Sequence, residues 1–163
     1  MNRQELIEEF AKGPAMIREA LDKLPREMWD WKPAPDKWSV HQIIIHLPDS
    51  EASGYVRCRK LIAEPESVVC AYNQEVFADK LNYHRLDIET ALDLFRLMRE
   101  MTVQLLRTLD DSVWTNTIIH PEHGSVDLNW WLGCYAEHAG KHVKQMQRNL
   151  AEWEAAGRPP AQG

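Results

Sequence analysis

The sequence predicts an all-α fold, a four-helix bundle with long connections, and three observations carry that expectation. Four long segments place apolar residues three and four apart, the period of an amphipathic helix. Each segment opens on a residue that caps helices through its side chain: Asn2, Ser39, Asp87 and Asp127. No run of alternating β-branched residues bounded by turn signals competes, with the short exception of Thr117 to Ile119.

The first helix follows from Asn2 with Glu5, a capping box, and from Leu6, Phe10, Ile17, Leu21 and Leu24 at helical spacing. Gly13-Pro14 falls inside it; Pro14 removes a backbone donor and should kink or split the helix. Pro25 to Lys37 holds three prolines and reads as an irregular connection lying on the core through Trp29 and Trp31. Ser39 with Gln42 forms the second capping box, opening a helix from Val40 to about Ala63 that Glu64-Pro65 ends. Residues 66 to 86 form a longer connection with one short helix expected around Asn73 to Leu81. Asp87 caps the third long helix, whose expected buried stripe is Ile88, Leu92, Phe95, Met98 or Met101, Leu105 and Leu109. After the loop TNTIIHPEHGS, Asp127 caps the fourth, which runs to about Ala155 before Gly157 and Pro159-Pro160. The long connections leave crossover topology open.

A chain of 163 residues is about one domain, so residues 1–156 are expected to form one helical unit and 157–163 a disordered tail. With 19 Lys plus Arg against 25 Asp plus Glu, the net charge is −6 and no cationic cluster occurs. Affinity for nucleic acid needs concentrated positive charge, so nucleic acid is excluded as a partner. MNRQELIEEF lacks the apolar stretch of a secretory signal and no 18-residue apolar run occurs, so a cytoplasmic protein without membrane association is expected. Cys58, Cys70 and Cys134 are odd in number and widely spaced, which fits free thiols in a reducing compartment. Seven tryptophans, among them Trp38, Trp130 and Trp131, are expected mainly as core packing.

The chemistry concentrates in YAEHAGKHVKQM. On the fourth helix the stripe reads Leu128, Trp131, Tyr135, His138, His142, Met146, Leu150 and Trp153, which turns both histidines inward. An imidazole buried without a partner costs roughly 1 to 3 kcal/mol, so each must find one. A backbone carbonyl or a neighbouring carboxylate would serve; so would a metal ion. His46, on the second helix within IIIHLPDSE, tips the balance toward metal: Ser50, Ser53 and Gly54 follow it by one and two turns and leave space beside it. Two imidazoles at i and i+4 and a third from a facing helix make a three-histidine set with open positions, the arrangement of a catalytic ion. Cys134 lies eight residues from His142, about 12 Å along the helix, too far to share the ion. His-Glu-x-x-His and His-x-x-Glu-His are excluded by Ala139 and Cys134.

PAPDKWSVHQIIIHLPDSE, a mid-chain helix, then HPEHGSVDL leading into YAEHAGKHVKQM together resemble the DinB-like superfamily, and within it the YfiT branch of metal-dependent hydrolases and low-molecular-weight-thiol S-transferases. The resemblance spans about residues 3 to 154, with three separated signatures in order. It implies a four-helix bundle holding one divalent ion, nickel or zinc, on His46, His138 and His142. Pro48 departs from the family pattern; it cannot donate to the Ile44 carbonyl, so a bend is expected just beyond His46.

Three neutral imidazoles leave the ion's charge uncompensated, which acidifies a water toward a pKa of about 7 or favours a small thiolate. Hydrolysis and thiol transfer on a small-molecule substrate both follow. Asp49, Glu51, Tyr135 and His123 are candidate supporting groups, though each reads more simply as structural and Glu137 as a solvated residue; His120, Glu122 and His123 lie on a loop that either overhangs the site, as the family resemblance implies, or simply leads into the helix cap. The reading from another class is a non-catalytic, stress-response metal-binding or dimerising module, distinguished by a closed coordination shell. An outer helix face is the expected surface should the chain form a homodimer.

Overall fold

Each expected cap closes on its helix in the computed structural model, which describes residues 1–161. The Asn2 side chain accepts from the Glu5 backbone N–H at 2.9 Å while the Asn2 N–H donates to the Glu5 carboxylate at 2.8 Å. Ser39 and Gln42 repeat the exchange, and Asp87 and Asp127 accept from the N–H groups of Thr90 and Trp130. The resulting helices are α1 (Arg3–Asp22), α2 (Val40–Ala63), a short α3 (Gln74–Lys80), α4 (Ile88–Leu106) and α5 (Leu128–Ala155). Three short 3₁₀ turns lie at Arg26–Met28, Tyr83–Arg85 and Asp111–Thr115.

The four long helices close a ring in which α1 and α2 each pack against both α4 and α5. Consecutive helices α1 and α2 are therefore diagonal, as are α4 and α5, and the long connections cross the ends of the bundle rather than forming a simple hairpin series. The segment TNTIIHPEHGS, expected as a loop with Thr117 to Ile119 its one strand-like run, forms with the residues up to Asp127 an antiparallel hairpin of β1 (Thr117–His120) and β2 (Gly124–Asp127). The turn PEH ends on Gly124, whose φ of +69° suits glycine. Ile118 and Val126 point the same way and are buried, which alternation over so few residues barely signals. Residues 66–69 lean on the outer edge of β1, with Val69 N–H donating to Ile119 O at 3.1 Å and Ile119 N–H to Ser67 O at 3.0 Å.

Pro14 neither splits nor ends α1, and α2 runs unbroken through Pro48. Below and above the middle of the bundle lie two apolar clusters, one around Ile17, Ile43, Phe95 and Met146, the other around Phe10, Leu61, Trp114 and Trp131. A polar layer separates them. Arg99, fully buried, donates from Nε to Glu51 at 2.9 Å, from Nη1 to Phe10 O at 2.8 Å and from Nη2 to Tyr135 O at 2.8 Å, so one side chain ties all four helices. The Phe10 carbonyl is the one that Pro14, lacking an N–H, leaves without its helical donor.

That layer corrects the expected stripe of α4. Met101 is exposed and Met98, Leu105 and Leu109 are only half-buried, while Arg99, Thr102, Val103 and Leu106 face inward. In the expected tail, 162–163 lie outside the described residues; Pro159 O accepts from Trp153 Nε1 at 2.8 Å and Arg158 N–H donates to Trp153 O. No helix among the described residues is long and apolar enough to cross a membrane.

Candidate metal centre

His46 and the pair His138 and His142 come from α2 and α5, which face each other in the ring, and the three imidazoles converge. One ring nitrogen of each lies within 4.8 Å of the others. The His46 ring centroid is 5.5 Å from that of His138 and 5.1 Å from that of His142. His138 Nε2 and His142 Nε2 are 3.0 Å apart.

The donor set suits a cation. His142 Nδ1 donates to Gln145 Oε1 at 3.0 Å, which leaves its Nε2 with a lone pair directed at His138. Two nitrogens bound to one ion at about 2.0 to 2.1 Å would sit about 3.0 to 3.4 Å apart, close to the spacing here. His138 Nδ1 is buried and has no hydrogen-bond partner among the described residues, while its Nε2 is the nitrogen turned toward His142. Burial and the neighbouring His142 push His46 down to about 3. Burial, then His142 and His46, hold His138 well below the ordinary histidine value, and burial lowers His142 although Gln145 opposes it. All three are neutral at pH 7, the form that binds metal.

Around them, the Trp38 ring tilts against His46 at 4.7 Å and the Tyr72 hydroxyl stands 3.5 Å from His46 Nδ1. His46 is 2% exposed, so access comes from the other side. There His138 lines an open cavity of about 840 Å³ whose wall also carries Ser50, Arg57, Tyr72, His120, Trp130 and Tyr135.

The expected supporting residues separate. Tyr135 lies on the cavity wall, stacked on Trp131 at 5.0 Å, with its ring 6.2 Å from that of His138. His123 is exposed on the hairpin turn, 4.8 Å from His120 and 5.0 Å from Trp130, and borders the same cavity. Glu51 is drawn away to Arg99 in the polar layer, and Asp49 accepts the Tyr83 hydroxyl. Glu137 is exposed and paired with Lys141, and Cys134 is exposed at the cavity rim. The space anticipated beside Gly54 is filled: a Cβ there would stand 2.3 Å from the Tyr135 ring, while Ser50 does open on the cavity. His120, Glu122 and His123 also bring ligand-type atoms within 4.8 Å, but His120 Nδ1 accepts from the Glu122 N–H at 3.2 Å and the other two are exposed.

Sequence reading passed over Gln145, Tyr72 and Arg57. Gln145, three residues after His142, and Arg57, about three turns after His46 on the same face, were open to helical arithmetic. Tyr72 sits in an irregular connection, where no periodicity points to it.

Comparison with known proteins agrees with this architecture. The DinB superfamily model matches residues 9–146. A protein of Oceanobacillus iheyensis named "putative metal-dependent hydrolase" is 33% identical over 85% of this chain and 79% of its own length. One of the same name from Bacillus mycoides is 26% identical over 84% of this chain and 79% of its own. Among solved structures, YfiT from Bacillus subtilis, described as a probable metal-dependent hydrolase with an unusual four-helix bundle topology, superposes with a TM-score of 0.85 at 21% identity, covering 98% of this chain and 91% of that one. That likeness shows the fold; the family match over most of the chain and the Oceanobacillus relative show more, and the chain belongs to the DinB superfamily.

Proposed function

We propose that the chain is a metal-dependent enzyme acting on a small molecule, with His46, His138 and His142 holding one divalent ion, zinc or nickel. The observation that carries this reading is the meeting of three neutral imidazoles from two helices, His138 opening on a cavity, His142 half-buried beside it and His46 buried behind them. Such an ion supplies Lewis acidity, which lowers the pKa of a water or of a small thiol.

The protein's own groups do the rest. Gln145 keeps the His142 proton on Nδ1, so that Nε2 stays a ligand. Trp38 covers the far side of His46 and excludes water there. Burial pushes the Tyr135 hydroxyl up to about 12 and raises Tyr72, so both phenols keep their protons and donate to a bound substrate. His120, whose Nδ1 is an acceptor, carries its proton on Nε2 when neutral. Hydrolysis agrees with the names of the relatives. Thiol transfer is the second reading, supported by a cavity of about 840 Å³ with room for a thiol beside its electrophile.

The test is paired. Metal-loaded protein is assayed against a panel of activated esters and amides, and for conjugation of small thiols to a bimane electrophile. A rate above the metal-free protein that His138→Ala abolishes is the expected result. No rate in either assay would speak for a non-catalytic module.

A further inference from the structure

One feature of the cavity belongs to neither the ligand set nor the fold's ion pairs. Arg57 is half-buried on the cavity wall, where Nη2 donates to Cys70 O at 2.7 Å and Nη1 stands 3.5 Å from the Tyr135 hydroxyl. Among the described residues no carboxylate lies in ion-pair range of it; Arg26, Arg59, Arg85 and Arg148 share that state, but none of them lines the cavity, and Arg3, Arg18, Arg96, Arg99, Arg107 and Arg158 each have a partner. The two phenols beside it stay protonated, so neither neutralises it. Glu122, the one acid on the cavity wall, sits exposed on the hairpin turn. A chain of net charge −6 thus keeps an uncompensated guanidinium on the wall of the cavity that His138 lines.

We infer that Arg57 anchors a carboxylate on the substrate, whose reactive end then lies at His138. A planar guanidinium has five N–H donors and matches a carboxylate in a two-point fork; most of Arg57's donors remain free for one. The bond to Cys70 O fixes the fork, and Tyr135 links the two ends of the site, its hydroxyl at Arg57 and its ring beside His138. The position of the reactive end rests on the metal-centred reading; the anion anchor does not.

The experiment is calorimetric titration of wild type, Arg57→Gln and Arg57→Lys with ω-mercaptocarboxylates of two to six carbons, each against its uncharged primary amide. Metal content and helical circular dichroism are measured on the same samples. Wild type should prefer the acid by about tenfold at the best chain length, the preference shrinking between low and high salt. Arg57→Gln should bring acid and amide within twofold, and Arg57→Lys should keep part of the preference. Equal binding in wild type at every length, undetectable binding of all the acids, or a preference undiminished in Arg57→Gln would overturn the anchor. One equivalent of metal without the preference leaves the metal reading standing; the preference without metal removes that reading and leaves the anchor.

Discussion

A methyl group on Gly13 would place its Cβ 2.1 Å from Arg99 Nη1 and 3.1 Å from the Ala139 methyl, so this residue is glycine because a guanidinium passes over it. Arg99 is held at three points and cannot swing aside cheaply. Gly13→Ala is therefore expected to destabilise the fold by about 1 to 3 kcal/mol despite alanine's better helix propensity, read as a lower urea midpoint; an unchanged or higher midpoint would contradict the close approach. The Gly13-Pro14 step was legible in the sequence as an irregularity of α1. Its reason was not, since the partner of the freed Phe10 carbonyl lies 89 residues away.

At the level of elements, α4 shows where periodicity fails. Arginine on a helix is read as solvent-facing, and Met98 or Met101 offered a plausible apolar alternative, yet the helix turns Arg99 inward because Glu51 awaits it on α2. Burial pushes the Glu51 carboxyl up, opposed by Arg99, so removing the arginine strands a buried acid. Arg99→Leu should cost about 3 to 5 kcal/mol, whereas Glu51→Leu combined with Arg99→Leu should recover a substantial part of that loss. Additive losses in the double variant would refute the coupling. By contrast the four long helices, their caps and the short α3 were all legible, because each is set by side chains within a few residues of one another.

For the whole molecule, the three central histidines also set a pH limit. Each has a folded pKa below its unfolded value of about 6.5, so the unfolded chain takes up protons first as pH falls. Stability of the metal-free protein is full above about pH 6.5 and declines below it, by up to about 1.4 kcal/mol per pH unit for each histidine, until the folded values are reached. Glu51, whose pKa is raised, acts with the opposite sign, from its folded value down to the ordinary carboxylate range, and so offsets part of that loss. A loss of at least about 2 kcal/mol between pH 7 and pH 5 is expected by urea unfolding, and a flat profile would contradict neutral, buried imidazoles. The convergence of these histidines was legible from two turns of α5 and one face of α2, but the cavity that gives them access was not: α2 and α5 supply only part of its wall, and the rest comes from the hairpin and residues 71–74, whose positions no local pattern fixes. The central claim, one ion on three histidines, is tested most directly by metal content per chain, determined by elemental mass spectrometry on wild type and His46→Ala purified without chelators or nickel affinity resin. About one equivalent of zinc or nickel in wild type, lost in His46→Ala while the helical circular dichroism stays, is the predicted result. Wild type free of metal even after reconstitution, or a variant that keeps its full equivalent, would contradict it.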